Sequence, residues 1–471
     1  MSQMNQDLLH DAIVYIDQWM SYQQERRELP GVVVAIRYDD RLLLCKGYGY
    51  ANLERQIPMT PGHIFRIASH SKMFTATAIM QLVEGGKLRL DDRLADYVCW
   101  LPEQDGLMRV TIRQALNHIT GIVRDGDDAD YWQLDQPFPD GEELRRLVEH
   151  GGMILAANES FKYSNIAYAL LGMVIEAASG LPYHEYVTRH ITECLGLANT
   201  GPETDAHARG RLVTGYTARR FGLPHRPLPD AATGILAPAT GFYSTAEDLC
   251  RFAAGHFFGD GTLLSDASKR EMQQPYWEVP HGDMRYGLGF AIYTIGERRL
   301  VGHGGAFPGH ATMTIFDPSD RLVVVVLTNE IGGPAALLAQ SAVKIIDFAL
   351  QQGTAPEASA GARTRFTGRF ATIWGVTDVA AFGDALVALY PDGDDPVKVV
   401  GRLAVEDEQT LRIKVAHGMA APGETMRYVR DAEGQVTKVI SGGMSAYPVA
   451  AFRARAIGGN ESMYDSEKSS H

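Results

Sequence analysis

The stretch FRIASHSKMFTATAIMQLVEGG, Phe65 to Gly86, constrains the fold of this chain more than any other. A short apolar run gives way to a pattern in which Met73, Ala76, Met80 and Val83, with Ile79 and Leu82 beside them, recur at helical rather than strand spacing. Gly85-Gly86 supply the stop. Ser69 then falls at or near a helix N-terminus, where free backbone N–H groups and the helix dipole favour negative charge. Lys72, three positions on, lies one turn above on the same face, within reach of the Ser69 hydroxyl. A serine hydroxyl becomes a good nucleophile when a neighbouring base takes its proton, and a lysine does this only if desolvation or a nearby cation keeps it largely neutral. The competing reading of Ser69 is a helix cap.

Ser-x-x-Lys carries little weight by itself, since about one accidental match is expected in a chain of this composition. A second match is present at Ser341 and Lys344. It sits inside GPAALLAQSAVKIIDFALQQ, where the pair reads more simply as two positions on an amphipathic helix. Context must separate the two.

At 471 residues the chain is long enough for more than one domain, and 45% hydrophobic with 21% charged residues fits a soluble globular protein. A net charge of -13 argues against nucleic acid or an anionic membrane as a general partner. Cys45, Cys99, Cys194 and Cys250 are scattered without metal-ligand spacing, and no carboxylate or cysteine joins His303 and His310 at such a spacing. No metal and no cofactor are expected. The N-terminus has no basic segment followed by an uninterrupted apolar core, and no stretch approaches the length of a membrane span, so the cytoplasm is the expected compartment.

In chain order, residues 7–28 show helical spacing that ends before Pro30. GVVVAIRY and RLLLCKGYGYANL read as a hairpin turning at Asp39-Asp40. Residues 87–121 read as a second helical zone broken at Gly121, and the acidic, aromatic segment 123–139 as a loop or a lid. In FKYSNIAYALLGMVIEAASG, Tyr163-Ser164-Asn165 leads into a helix and so presents a phenol and an amide toward a cleft; the simpler reading is that Ser164 or Asn165 caps the helix and Tyr163 packs. RRLVGHGG, ATMTIF and RLVVVVLTN read as three strands, the last turn being Asp317 to Asp320. Glycines after His303 permit close approach of another chain, and such a strand edge can hydrogen-bond an extended substrate and offer an N–H to its carbonyl oxygen.

Ser-x-x-Lys opening a helix, Tyr-x-Asn before a later helix and His-x-Gly on a later strand together resemble the penicillin-recognising serine hydrolases: class C β-lactamases, D-alanyl-D-alanine peptidases, D-aminopeptidases and related esterases. ALNHITGI (residues 115–122) and ATGFYSTAEDLCRFA (residues 239–253) are similar to further stretches of that family, and the likeness covers roughly residues 5 to 350. The resemblance implies a β-lactamase-like antiparallel sheet flanked by helices, with an all-helical subdomain. It implies Ser69 as the acylated nucleophile, Lys72 as its proton acceptor, and Tyr163 as a general base and acid whose phenolate the lysine charge favours. It implies an oxyanion hole from the N–H groups of Ser69 and Ala306, and substrate contacts from Asn165, His303 and Gly305. The departure is His303, where the lactamases and many D,D-peptidases carry Lys-Thr-Gly. His-x-Gly resembles instead the D-aminopeptidase and D-amino-acid amidase branch.

Residues 353–364 are small, polar and Pro-containing, which reads as a linker between a catalytic domain, 1–352, and a second domain, 365–456. That second domain carries about eight short β-rich runs broken at turns such as Asp392-Gly393 and Glu433-Gly434, a pattern that closes into a small antiparallel barrel. It resembles the lipocalin-like domain appended to some members of the family. Its expected use is a filled barrel packing on the catalytic domain or on a neighbouring subunit of a homo-oligomer, the alternative being a ligand-holding barrel. Residues 457–471 are expected to be a disordered tail. The expected activity is acyl-enzyme hydrolysis of small peptides or amides bearing a D-residue. The alternatives are an esterase or β-lactamase-like hydrolase, and an inactive member that only binds ligand.

Overall fold

The computed structural model describes residues 3–103, 106–280, 282, 284–352, 365–416 and 420–458. The chain divides into two compact units: one is Gln24–Gln340, and the other joins the segment up to Gln23 with the chain from Ser341 onward. This packing boundary falls within two helices, Gln3–Arg26 and Ala335–Leu350. The linker expected at 353–364 and the tail from 459 on lie outside the described residues.

The first unit is built on a nine-stranded antiparallel sheet. Its spatial order is Ile57–Pro58, Arg41–Asn52, Gly31–Tyr38, Leu322–Thr328, His310–Asp317, Arg298–Phe307, Ala291–Ile295, Arg285–Tyr286 and Trp277–Glu278. The valine-rich strands Gly31–Tyr38 and Leu322–Thr328 pair at the centre, Val32 opposite Thr328 through to Tyr38 opposite Leu322. Every residue of Leu322–Thr328 is buried, as suits branched side chains covered on both faces. The hairpin at Asp39-Asp40 is present, with Asp39 at φ 55, a conformation that Asp tolerates. The helix Ala246–Ala254 packs on the two central strands.

The helical part is organised around Ser71–Glu84, whose residues from Ser71 to Met80 are all buried. It packs against Asn165–Ser179 and Ala237–Thr240, and Phe74 stacks between Phe242 and Phe252 with ring centroids 4.4 and 3.9 Å away. A helix apolar all round is a buried one. The second helical zone expected at 87–121 is mostly absent. That stretch holds short 3-10 turns at Leu94–Asp96 and Leu107–Arg109 and one short helix, Ile112–Leu116. The reason is local: Asp92 and Asp96 accept hydrogen bonds from the backbone N–H groups of Arg89 and Arg93, turns that compete with a helix. Among the described residues no single helix is long and apolar enough to cross a membrane.

In the second unit eight strands, Gly368–Thr372, Gly375–Phe382, Ala385–Leu389, Gly401–Val405, Thr410–Val415, Thr425–Arg430, Val436–Ser441 and Met444–Pro448, form a closed antiparallel barrel. Each pairs with the next, and the last returns to the first through Phe370 and Pro448. Phe370, Val379, Leu386, Leu403, Leu411, Ile413, Met426 and Val439 fill a core with Tyr428, whose hydroxyl donates to Phe366 O at 2.8 Å. Tyr15 on the first helix donates to Asp378 Oδ2 at 3.0 Å, and Arg369 clasps the same carboxylate. The second Ser-x-x-Lys is used here too: Ser341 donates to Asp394 O and Lys344 pairs with Asp395, each at 2.7 Å.

Candidate active site

Phe65-Arg66 pairs with Tyr243-Ser244 and delivers the chain into a tight turn before the long buried helix. Ala68 sits at φ 45, a left-handed backbone that a residue with a small side chain bears at least cost. Ser69 lies in the 3-10 turn Ala68–His70, one step ahead of the helix Ser71–Glu84. Two neighbours brace this turn. Ser71 Oγ donates to Ala68 O at 2.6 Å and accepts from Phe242 N at 3.0 Å. His70 Nδ1 donates to Ile67 O at 2.9 Å, which leaves Nε2 to accept from Thr314 Oγ1 at 3.0 Å. Burial drops the His70 pKa to about 4, so the ring is neutral.

Lys72 is fully buried and meets three partners: Asn165 Oδ1 at 2.7 Å, Ala239 O at 2.8 Å and Ser69 Oγ at 3.4 Å. Burial pushes the lysine well below its ordinary pKa; Asp125 works against this shift and Arg124 adds to it. A neutral amine has two N–H groups and one lone pair. With Asn165 Oδ1 and Ala239 O taking those two N–H groups, the lone pair of the neutral form would be the part of Lys72 left for the serine proton.

Tyr163 donates to Ser69 Oγ at 2.8 Å. Burial raises its pKa, with the Ser69 hydrogen bond and Arg124 opposing, so the resting group is the phenol. Burial therefore works against the phenolate that the resemblance implied. Both readings of Tyr-Ser-Asn hold at once, because Ser164 caps the helix Asn165–Ser179 through Ala167 N while Tyr163 reaches the nucleophile.

Strand Arg298–Phe307 packs against the Ser69 turn. Phe307 and His310 close a two-residue hairpin, so alternation turns the N–H of Ala306 away from the paired strand, toward the open edge where an oxyanion would lie. A Cβ on Gly305 would come within 2.2 Å of Ile67 O and 3.0 Å of His70 Nδ1, which is why glycine stands there. Gly305→Ala is therefore expected to lower stability by about 1–3 kcal/mol and to slow covalent labelling of Ser69. Gly304→Ala, whose Cβ would meet its nearest atom at 3.5 Å, is the control for the melting temperature.

His303 is buried, and both ring nitrogens have partners within the protein: Nδ1 donates to Gly304 O at 2.6 Å and Nε2 accepts from Tyr286 OH at 2.9 Å. Burial lowers its pKa to about 3, the proximity of Lys72 contributing. The expected hydrogen bond from His303 to substrate has no free ring nitrogen here.

Four contributors carried no sequence signal of their own. Asp125 Oδ1 accepts from Asn165 Nδ2 at 2.6 Å, Ala239 offers only a backbone oxygen, and Tyr286 orients His303. His118, at φ 61, accepts from Ser164 N at 3.1 Å and lies against the Tyr163 ring with centroids 4.2 Å apart. His118 and Ala239 do fall in ALNHITGI and ATGFYSTAEDLCRFA, stretches that stood out by resemblance alone.

A serine bonded to a phenol and backed by a desolvated lysine, on this sheet-and-helix scaffold, defines a serine hydrolase. The chain belongs to the Beta-lactamase family, whose model matches residues 16–345. It is 29% identical over 328 residues to Penicillin-binding protein 4* of Bacillus subtilis, a match covering 65% of this chain and 69% of that protein. The octameric penicillin-binding protein homologue from Pyrococcus abyssi aligns over 92% of this chain and 99% of its own, with a TM-score of 0.63 and 24% identity. The D-amino acid amidase from Ochrobactrum anthropi SV3 aligns over 72% of this chain and 96% of its own, with a TM-score of 0.59 and 25% identity.

Proposed function

We propose that this chain cleaves amide bonds of small peptides or amides bearing a D-residue, through an acyl-enzyme on Ser69. The observation that carries the reading is the set of partners around the buried Lys72, which Asn165 Oδ1 and Ala239 O hold at 2.7 and 2.8 Å with the Ser69 hydroxyl 3.4 Å away. In acylation, Ser69 Oγ bonds to the amide carbon as its proton passes to Lys72. The C–N bond then breaks and the leaving amine takes a proton from the Tyr163 phenol, which Lys72 restores. In deacylation a water gives its proton back along the same relay, its oxygen bonds to the acyl carbon, and Ser69 leaves as the hydroxyl. The N–H groups of Ser69 and Ala306 hold the oxyanion in both steps.

Similarity to the D-amino acid amidase supports the D-residue. The neutral, internally bonded His303 supports an amide over a carboxylate beside the scissile bond, because that position supplies no charge-assisted hydrogen bond. The test is a panel of D- and L-alanine amides and p-nitroanilides, D-alanyl-D-alanine, p-nitrophenyl esters and a chromogenic cephalosporin, read by burst kinetics. D-Alanine amide is expected to exceed D-alanyl-D-alanine in kcat/KM by about tenfold or more. A preference for the dipeptide, or equal rates in the L-series, overturns the assignment. Turnover confined to esters makes the protein an esterase, and labelling without turnover of any substrate makes it a binding protein.

A further inference from the structure

Loop 123–125 and turn 163–165 run side by side. Ser164 Oγ donates to Val123 O at 2.8 Å, Asn165 N to Arg124 O at 2.9 Å, and Tyr131 OH to Asp125 O at 3.0 Å. Their side chains continue the seam: Asn165 Nδ2 donates to Asp125 Oδ1 at 2.6 Å, and Arg124 Nε pairs with Asp125 Oδ2 at 2.9 Å. Asp125 and Asn165 are buried, while Arg124 is mostly exposed.

A carboxamide has nearly the same shape either way round, so shape alone does not decide whether Asn165 shows Lys72 its oxygen or its nitrogen. The wrong choice would set N–H against N–H in a buried site and leave both groups unsatisfied. A carboxylate only accepts. Placed behind Asn165 it binds Nδ2 and turns Oδ1 toward Lys72, and the Oδ1–Nζ distance of 2.7 Å is the outcome.

We propose that Asp125 is a positioning residue for acylation: its carboxylate, steadied by Arg124, locks the Asn165 amide in the orientation that anchors Lys72 beside Ser69. This rests on the Ser69–Lys72 reading above. It has an electrostatic consequence as well. Lys72 faces the rings of Tyr163 and Tyr168 at 4.7 and 5.4 Å, and His118, His303, Arg124 and Asp125 act on it or it on them. Of these groups Asp125 is the one that favours the ammonium form of Lys72. Removing that charge lowers the Lys72 pKa, so the lysine stays neutral, and active as a base, to lower pH.

The experiment uses the full chain and measures the rate at which a fluorophosphonate labels Ser69 as a function of pH, in wild type, Asp125→Asn and Asp125→Ala, with melting temperatures alongside. Asparagine still accepts from Asn165 Nδ2 but carries no charge; alanine loses both. Asp125→Asn, whose own amide can turn either way, is expected to label more slowly than wild type but faster than Asp125→Ala, with the acid limb moved to lower pH. Asp125→Ala is expected to lose about 10- to 100-fold with the same displacement of the limb. An acid limb in Asp125→Asn that coincides with wild type overturns the inference, as does wild-type labelling by Asp125→Ala. The near-isosteric asparagine variant keeps the comparison even if the alanine variant does not fold. Failure of wild type to label at Ser69 counts against the nucleophile assignment instead.

Discussion

Ser69→Ala is expected to lower turnover by at least about a thousandfold and to abolish labelling by a serine-directed phosphonate, while Ser341→Ala leaves both at wild-type levels. The two serines share the Ser-x-x-Lys spacing and differ in what surrounds them. Ser69 accepts a 2.8 Å hydrogen bond from a buried phenol and faces a buried lysine that Asn165 and Ala239 hold in place. Ser341 donates to a backbone carbonyl, and Lys344 is paired with the Asp395 carboxylate rather than with the serine. Peptide mapping of the labelled protein checks the assignment directly, and label found on Ser341 would end it.

Lys72→Ala and Tyr163→Phe are each expected to cost about 10²- to 10⁴-fold in kcat/KM, and the double variant nearly the same as the worse single. The reason is that both groups act on one hydroxyl. Lys72 takes the proton of Ser69, and Tyr163 holds Ser69 Oγ while supplying the proton that the leaving group needs. With either removed the relay is open, and the second substitution has little left to remove. A double-variant cycle in kcat/KM on the preferred amide decides the point. Losses that multiply would mean that the residues act independently, in separate steps.

The hairpin at Asp39-Asp40, the three strands that end in Leu322–Thr328 and the eight barrel strands were legible because period-two patterning and turn residues are local signals. The stretch 87–121 was misread for an equally local cause: its apolar spacing suits a helix, but Asp92 and Asp96 bind nearby backbone N–H groups. The Tyr163 phenolate was misassigned for a non-local one, since the packing that buries the ring disfavours its charged form.

The sequence alone determined that Ser69 and Lys72 meet, because residues three apart at a helix start share a face whatever else the chain does. It also determined that glycine lies on the strand after His303. Only the tertiary structure decided what these groups do. Desolvation pushes the Lys72 pKa down, and desolvation is a property of everything packed around a residue. His303 points its nitrogens at Gly304 O and Tyr286 rather than outward, Gly305 matters because Ile67 O stands where its Cβ would be, and Asn165 is turned by Asp125, forty positions away in sequence. Distances between such residues follow from how helix, loop and strand are stacked, and periodicity along a chain carries no record of that stacking.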